Sequence, residues 1–189
     1  MRRSPGLAKI IACCWTPKPE GFFHIGKKHN LRTLEVKSVK YIDEQGLTSL
    51  LGLPILENLP LCDLGNSRIR EPSLFQAFKD CPRRPKVCTL ALGGRDISDR
   101  VLAAAVSACS LLDNLYMRDC PKVTTEGMRT VLNLEQPTFY RRLGNVWCDK
   151  KLFRDLVQCG YLMPYQPTGV WTDAPSQCIF VNNHCMVVT

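Results

Sequence analysis

One spacing recurs four times in this chain and limits its fold more than any other feature: apolar-x-x-apolar-x-apolar. It falls on Leu31, Leu34 and Val36, on Leu56, Leu59 and Leu61, on Val87, Leu90 and Leu92, and on Leu112, Leu115 and Met117. The starts at 31, 56, 87 and 112 give steps of 25, 31 and 25 residues. The second halves of the units align as well. Ile42 matches Val123, Leu47 matches Met128 and Leu50 matches Val131; Gly46 and Gly127 stand before Leu47 and Met128. The third unit follows with Ile97, Leu102 and Val106, and the second with Ile69, Leu74 and Phe78 after an insertion around Gly65-Asn66-Ser67. Self-similarity of this period is the signature of a stacked repeat architecture.

Within a unit, alternation places Leu115 and Met117 on one face of a short strand. The later apolar residues recur at helical spacing, as Leu102, Val106 and Cys109 do. Asp43, Ser98 and Thr124 precede the helical stretches and are predicted N-caps, with Glu44, Asp99 and Glu126 favourable in the first turn. Each unit therefore reads as strand, turn, helix. One unit alone exposes both apolar faces, and stacking buries them at about 25 cal/mol per Å² removed from water. The expected fold is α/β, a short solenoid with parallel strands on its concave face and helices on its convex face.

The unit from Leu112 to Leu132 resembles the leucine-rich repeat, in the cysteine-containing subclass found in F-box leucine-rich-repeat proteins. Cys120, Val123, Thr124, Gly127 and Met128 carry the resemblance. It implies that Cys120 fills the turn after the strand; the other units have Val39, Leu64 and Arg95 there. The resemblance spans residues 31–133, about four repeats. It implies a substrate-recognition adaptor related to ubiquitin-ligase receptors, with ligase scaffold components among its partners. No F-box-like segment and no small-Leu-x-x-x-Cys box is read in the sequence, so ligase recruitment is implied by resemblance alone.

The ends are read separately. Residues 1–30 form a basic N-terminal arm or cap, with prolines and glycines and no clear periodicity. Residues 134–163 read as a divergent repeat or C-terminal cap. In them Leu143, Val146 and Cys148 fit a strand, and Leu152, Phe153, Leu156 and Val157 lie on one side of a helix opened by Asp149. Residues 164–189 read as a tail, with a hairpin around Asn182-Asn183 as one form.

Charge narrows the function classes. The net charge of +8 divides into +5 over residues 1–30 (six basic, one acidic), +2 over 31–132 (fourteen and twelve) and +1 over 133–189 (five and four). The body is nearly neutral, unlike the basic stripe of a nucleic-acid binder. The arm fits weak, salt-sensitive contact with a polyanion. The eleven cysteines are odd in number and form no disulfide framework. Cytoplasmic residence is expected, with the nucleus as an alternative. No apolar run is long enough to span a bilayer.

Sites for chemistry are few. Gly21, Gly26 and Lys27 approach a phosphate-binding loop, but Lys28 stands where the hydroxyl belongs. Two sets could offer ligands to zinc: Cys13, Cys14, His24 and His29, and Cys178, His184 and Cys185. Neither has a convincing tetrahedral spacing. The three histidines are not set against any cysteine to activate a thiolate. No catalytic residue, metal or cofactor is expected. The favoured reading is a non-enzymatic protein–protein interaction module; the alternatives are a thiol- or zinc-dependent protein and a polyanion binder. On the concave face the outward residues include Glu35, Lys37, Asn58, Asn114, Tyr116 and Arg118. A protein partner is expected there, with Tyr116 and Arg118, residue types that anchor interfaces, near the centre and Glu35 and Lys37 at the rim.

Overall fold

The computed structural model describes residues 8–12, 17–36, 38–62, 64, 69–81, 86–132, 145–158, 177–181 and 184–187. Strands and helices alternate along it: β1 (Lys9–Ala12), α1 (Pro19–Gly26), β2 (Thr33–Val36), α2 (Glu44–Leu51), β3 (Asn58–Leu61), α3 (Glu71–Lys79), β4 (Thr89–Gly93) and α4 (Asp99–Ala108). Then come β5 (Asn114–Arg118), α5 (Thr125–Leu132), β6 (Asn145–Asp149), α6 (Lys150–Gln158), β7 (Gln177–Val181) and β8 (His184–Val187). The strands form one sheet in chain order. Neighbours from β1 to β6 pair parallel, and β7 and β8 close the sheet antiparallel. Consecutive helices touch one another, so the fold is α/β, a largely parallel sheet against a layer of helices.

The strands start two residues later than the apolar pattern predicts. Leu31, Leu56, Val87 and Leu112 are buried, but they precede the regular ladder. A repeated backbone device lies just after each of them. The carbonyls of Ala8, Arg32, Glu57 and Cys88 each accept two N–H groups from the next unit. Arg32 and Thr33 donate to Ala8 (2.8 and 3.2 Å), Glu57 and Asn58 to Arg32 (2.7 and 3.3 Å), Cys88 and Thr89 to Glu57 (2.9 and 3.0 Å), and Asp113 and Asn114 to Cys88 (2.9 and 2.8 Å). This satisfies the backbone where the chain swings from helix to strand.

Because Ala8 takes part, β1 and α1 join the sheet as a unit of the same build. The boundary drawn at residue 30 falls inside this regular array. Phe22 and Ile25 are buried at the places that Leu47 and Leu50 hold one unit later. Pro19 suits the first turn of α1, where its missing N–H has no intrahelical partner. At the other end, β6 and α6 add a further strand and helix, with Leu152 and Leu156 buried. The expected hairpin is the β7–β8 pair; Asn182 and Asn183 between them lie outside the described residues.

The core is one apolar layer between sheet and helices. Leu34, Leu59, Leu61, Leu90, Leu92, Leu115 and Met117 fill it from the strands, and Leu47, Leu50, Leu74, Phe78, Leu102, Ala105, Met128 and Val131 from the helices. The opposite sheet face alternates outward, as in β5, where Leu115 and Met117 are buried while Tyr116 and Arg118 are exposed. Two strands end on a residue with positive φ, Gly94 (137°) after β4 and Asp119 (55°) after β5. Glycine bears this conformation freely and aspartate tolerates it, so both turns leave the strand at the same point.

Candidate functional site

The open sheet face is built by register. Thr33 pairs with Asn58, Asn58 with Thr89, Thr89 with Asn114, and Asn114 with Asn145. Two residues further along the strands, Pro60 pairs with Ala91, Ala91 with Tyr116, and Tyr116 with Trp147. At the strand ends Gly93 pairs with Arg118. Two rows therefore cross the sheet: a neutral hydrogen-bonding row of threonine and asparagine, and a row of small and aromatic residues.

The expected site residues do not all come together. Asn58 and Asn114 share the first row, with Thr89 between them, and both are half-buried. Tyr116 is 38 % exposed, and burial pushes its phenol pKa up. Arg118 extends beyond it, with its side chain 76 % exposed and its Nε 3.5 Å from Asp119. Glu35 lies three strands from Tyr116, roughly 14 Å away at the usual strand spacing. It is bound to Lys9 at 3.5 Å rather than to the cluster. Lys37 lies outside the described residues.

Electrostatics set the middle of this face apart. Thr33, Asn58, Pro60, Cys62, Thr89, Ala91, Gly93, Asn114 and Tyr116 carry no formal charge, in a chain that is 22 % charged. Three ion pairs flank them, Lys9 with Glu35, Arg32 with Glu57 at 2.9 Å, and Arg118 with Asp119, while Asp113 accepts from Asn114 Nδ2 at 3.3 Å. The centre of this face is thus uncharged and contains an aromatic, with polar groups around it.

The thiols of Cys109 and Cys120 are buried, one in the core and one in a turn. Cys109 is buried, and desolvation, with a smaller contribution from Cys81, pushes its pKa to about 12, so it stays protonated near neutrality. Cys120 is buried in the turn after β5 and donates to the carbonyls of Arg118 (3.3 Å) and Leu92 (3.7 Å). Val39 and Leu64 fill the equivalent turns, whereas Arg95 is exposed. Among the described residues, no group of three or more His, Cys, Asp and Glu is arranged to hold a metal ion. His24 and His29 are both exposed, while Cys13 and Cys14 lie outside the described residues. The segment from Gly21 to Gly26 is helical, so its N–H groups serve α1 rather than a phosphate cradle. Lys27 sits 4.0 Å above the Phe23 ring instead.

Sequence reasoning missed Lys9 and Ile11, which extend the open face onto β1; Ile11 is 54 % exposed. The signal was present in Gly21-Phe22, which matches Gly46-Leu47 and marks a unit one step earlier. Compared with models of known protein families, the chain matches none, and no curated protein matches it. No described helix is long and apolar enough to cross a membrane.

Proposed function

We propose that this protein is a non-enzymatic interaction module, a short leucine-rich-repeat solenoid whose concave sheet face binds a protein partner. The observation that carries this reading is the uncharged strip on the open face, flanked by three ion pairs and containing Tyr116. Interface centres are depleted of charge and enriched in tyrosine and arginine. Compensated basic groups favour a protein over a polyanion, which needs uncompensated ones. The resemblance of the Leu112–Leu132 unit to F-box leucine-rich-repeat proteins supports a narrower role, substrate recognition for a ubiquitin ligase.

Affinity purification with mass spectrometry tests both levels. The double variant Tyr116→Ala/Arg118→Ala is expected to recover partners at least tenfold less than the unaltered chain. That is about 1.4 kcal/mol, modest for two anchor residues. Equal recovery removes the sheet face as the site. Reproducible absence of cullin-scaffold components from the unaltered sample removes the ligase role and leaves the plain binding module.

A further inference from the structure

The helix layer has a gap. At the α1–α2 and α4–α5 junctions, a glycine one residue before the buried helix position lets the preceding helix close in. A Cβ on Gly46 would stand 2.9 Å from Phe22 Cβ, and one on Gly127 would stand 2.0 Å from Asp99 Oδ1. In α3 that place, before Leu74, is Ser73. Its hydroxyl donates to a carboxylate oxygen of Glu44 across the junction. The α2–α3 contact is looser than its neighbours α1–α2 and α3–α4. The α3–α4 junction is bridged by Arg100, whose guanidinium lies 3.7 Å from the Phe75 ring.

What remains between α2 and α3 is a groove of about 560 Å³. Leu51, Ala77 and Cys81 form its floor, where the Cys81 thiol donates to the Leu51 carbonyl at 3.7 Å. Glu44 stands at one end and Asp80 at the other. Both accept from neutral groups, Ser73 and Gln76, and neither belongs to an ion pair among the described residues. In a chain of net charge +8, the groove is thus an acid-rimmed, apolar-floored site. The C-terminal ends of α2 and α3 flank Asp80 and add partial negative charge; Glu44 sits at the N-terminus of α2, which offsets its own. Ser73 on α3 and Asp80, which caps that helix, are seven residues apart, roughly 10 Å at the helical rise.

We propose that this groove docks a basic amphipathic helix of a partner protein. A helix laid along it presents side chains at i and i+7 with that same separation, on one face. Lysine or arginine at those two places meets Glu44 and Asp80. An apolar side chain at i+3 or i+4 covers Ala77 and Cys81. The surface is separate from the open sheet face, so the two sites stand or fall independently.

A displayed library of stable helical hairpins, randomised along one exposed helix face, provides the probe, selected against the full chain. Enriched clones are expected to carry basic residues at i and i+7 with an apolar residue between. They are expected to weaken at least tenfold against Asp80→Asn and less against Glu44→Gln, following the helix-end electrostatics. A charge-reversed clone, with glutamate at both places, is expected to lose binding to the unaltered chain and regain it against Glu44→Lys/Asp80→Lys. Failure to enrich any clone, enrichment without the basic pair, or undiminished binding to both neutralised variants would each overturn the proposal. Circular dichroism of the variants separates loss of binding from loss of fold.

Discussion

Gly127 shows how one absent methyl group sets a distance between units. Helix interiors prefer alanine to glycine by about 1 kcal/mol, so Gly127→Ala would stabilise an isolated helix. Here the added Cβ meets Asp99 at its Oδ1, Cγ and Cβ, at 2.0, 2.2 and 2.7 Å. The Cβ at 2.7 Å is fixed by the α4 backbone, so rotating the carboxylate does not clear the clash. Overpacking of this kind costs about 1–3 kcal/mol, which outweighs the propensity gain. Gly127→Ala is therefore expected to lower the denaturant midpoint in urea unfolding; a raised midpoint would refute the close approach. The glycine was visible in the sequence as a coincidence of Gly46 and Gly127, but its reason was not. Spacing reports which residues recur, and the packing partner belongs to the preceding unit.

At the scale of elements, the starts of α2, α3 and α4 are each tied to the helix that follows. Asp43 Oδ1 accepts from Gly46 N–H at 2.8 Å, and Thr124 Oγ1 from Gly127 N–H at 3.2 Å, as N-caps do. The acidic residue in the first turn then reaches forward to the next unit. Glu44 accepts from Ser73; Glu71 accepts from Ser98 at 2.7 Å; Asp99 accepts from the Thr124 N–H and hydroxyl at 2.7 and 2.6 Å. The caps were legible as residue types before apolar runs. The forward contacts were not, because nothing in a single sequence distinguishes a carboxylate that favours its own helix dipole from one that serves its neighbour. A double-mutant cycle of Asp99→Ala and Thr124→Ala is expected to give a coupling energy of about 1 kcal/mol, as for charge-assisted bonds partly open to water. Additivity within about 0.3 kcal/mol would mean that the two residues act separately. The open face divides in the same way. Alternation gave Asn58, Asn114, Tyr116 and Arg118, whereas the pairing of Glu35 with Lys9 needed β1 in place.

For the whole molecule, the four-unit frame was legible because leucine spacing survives insertion, even in the unit stretched to a 31-residue step. The first unit was not, because β1 carries an apolar residue, Ile11, at the outward place that Glu35 holds in β2, and beside Ile10 it hides the alternation. That unit covers the edge of β2 and the face of α2. Removing residues 1–28 strips Phe22 from Gly46 and leaves one edge of β2 unpaired, so it is expected to destabilise the remaining chain by several kcal/mol. In hydrogen exchange the β2 and α2 amides should lose protection first, with β4 and β5 least affected. Uniform loss of protection would show that the array unfolds as one body rather than from its end. The strand order has a further consequence for how the protein is made. Every strand lies beside the one synthesised just before it, so a nascent chain leaving the ribosome can add each rung to a surface that already exists. It never has to hold an unpaired segment open for a distant partner still to be translated.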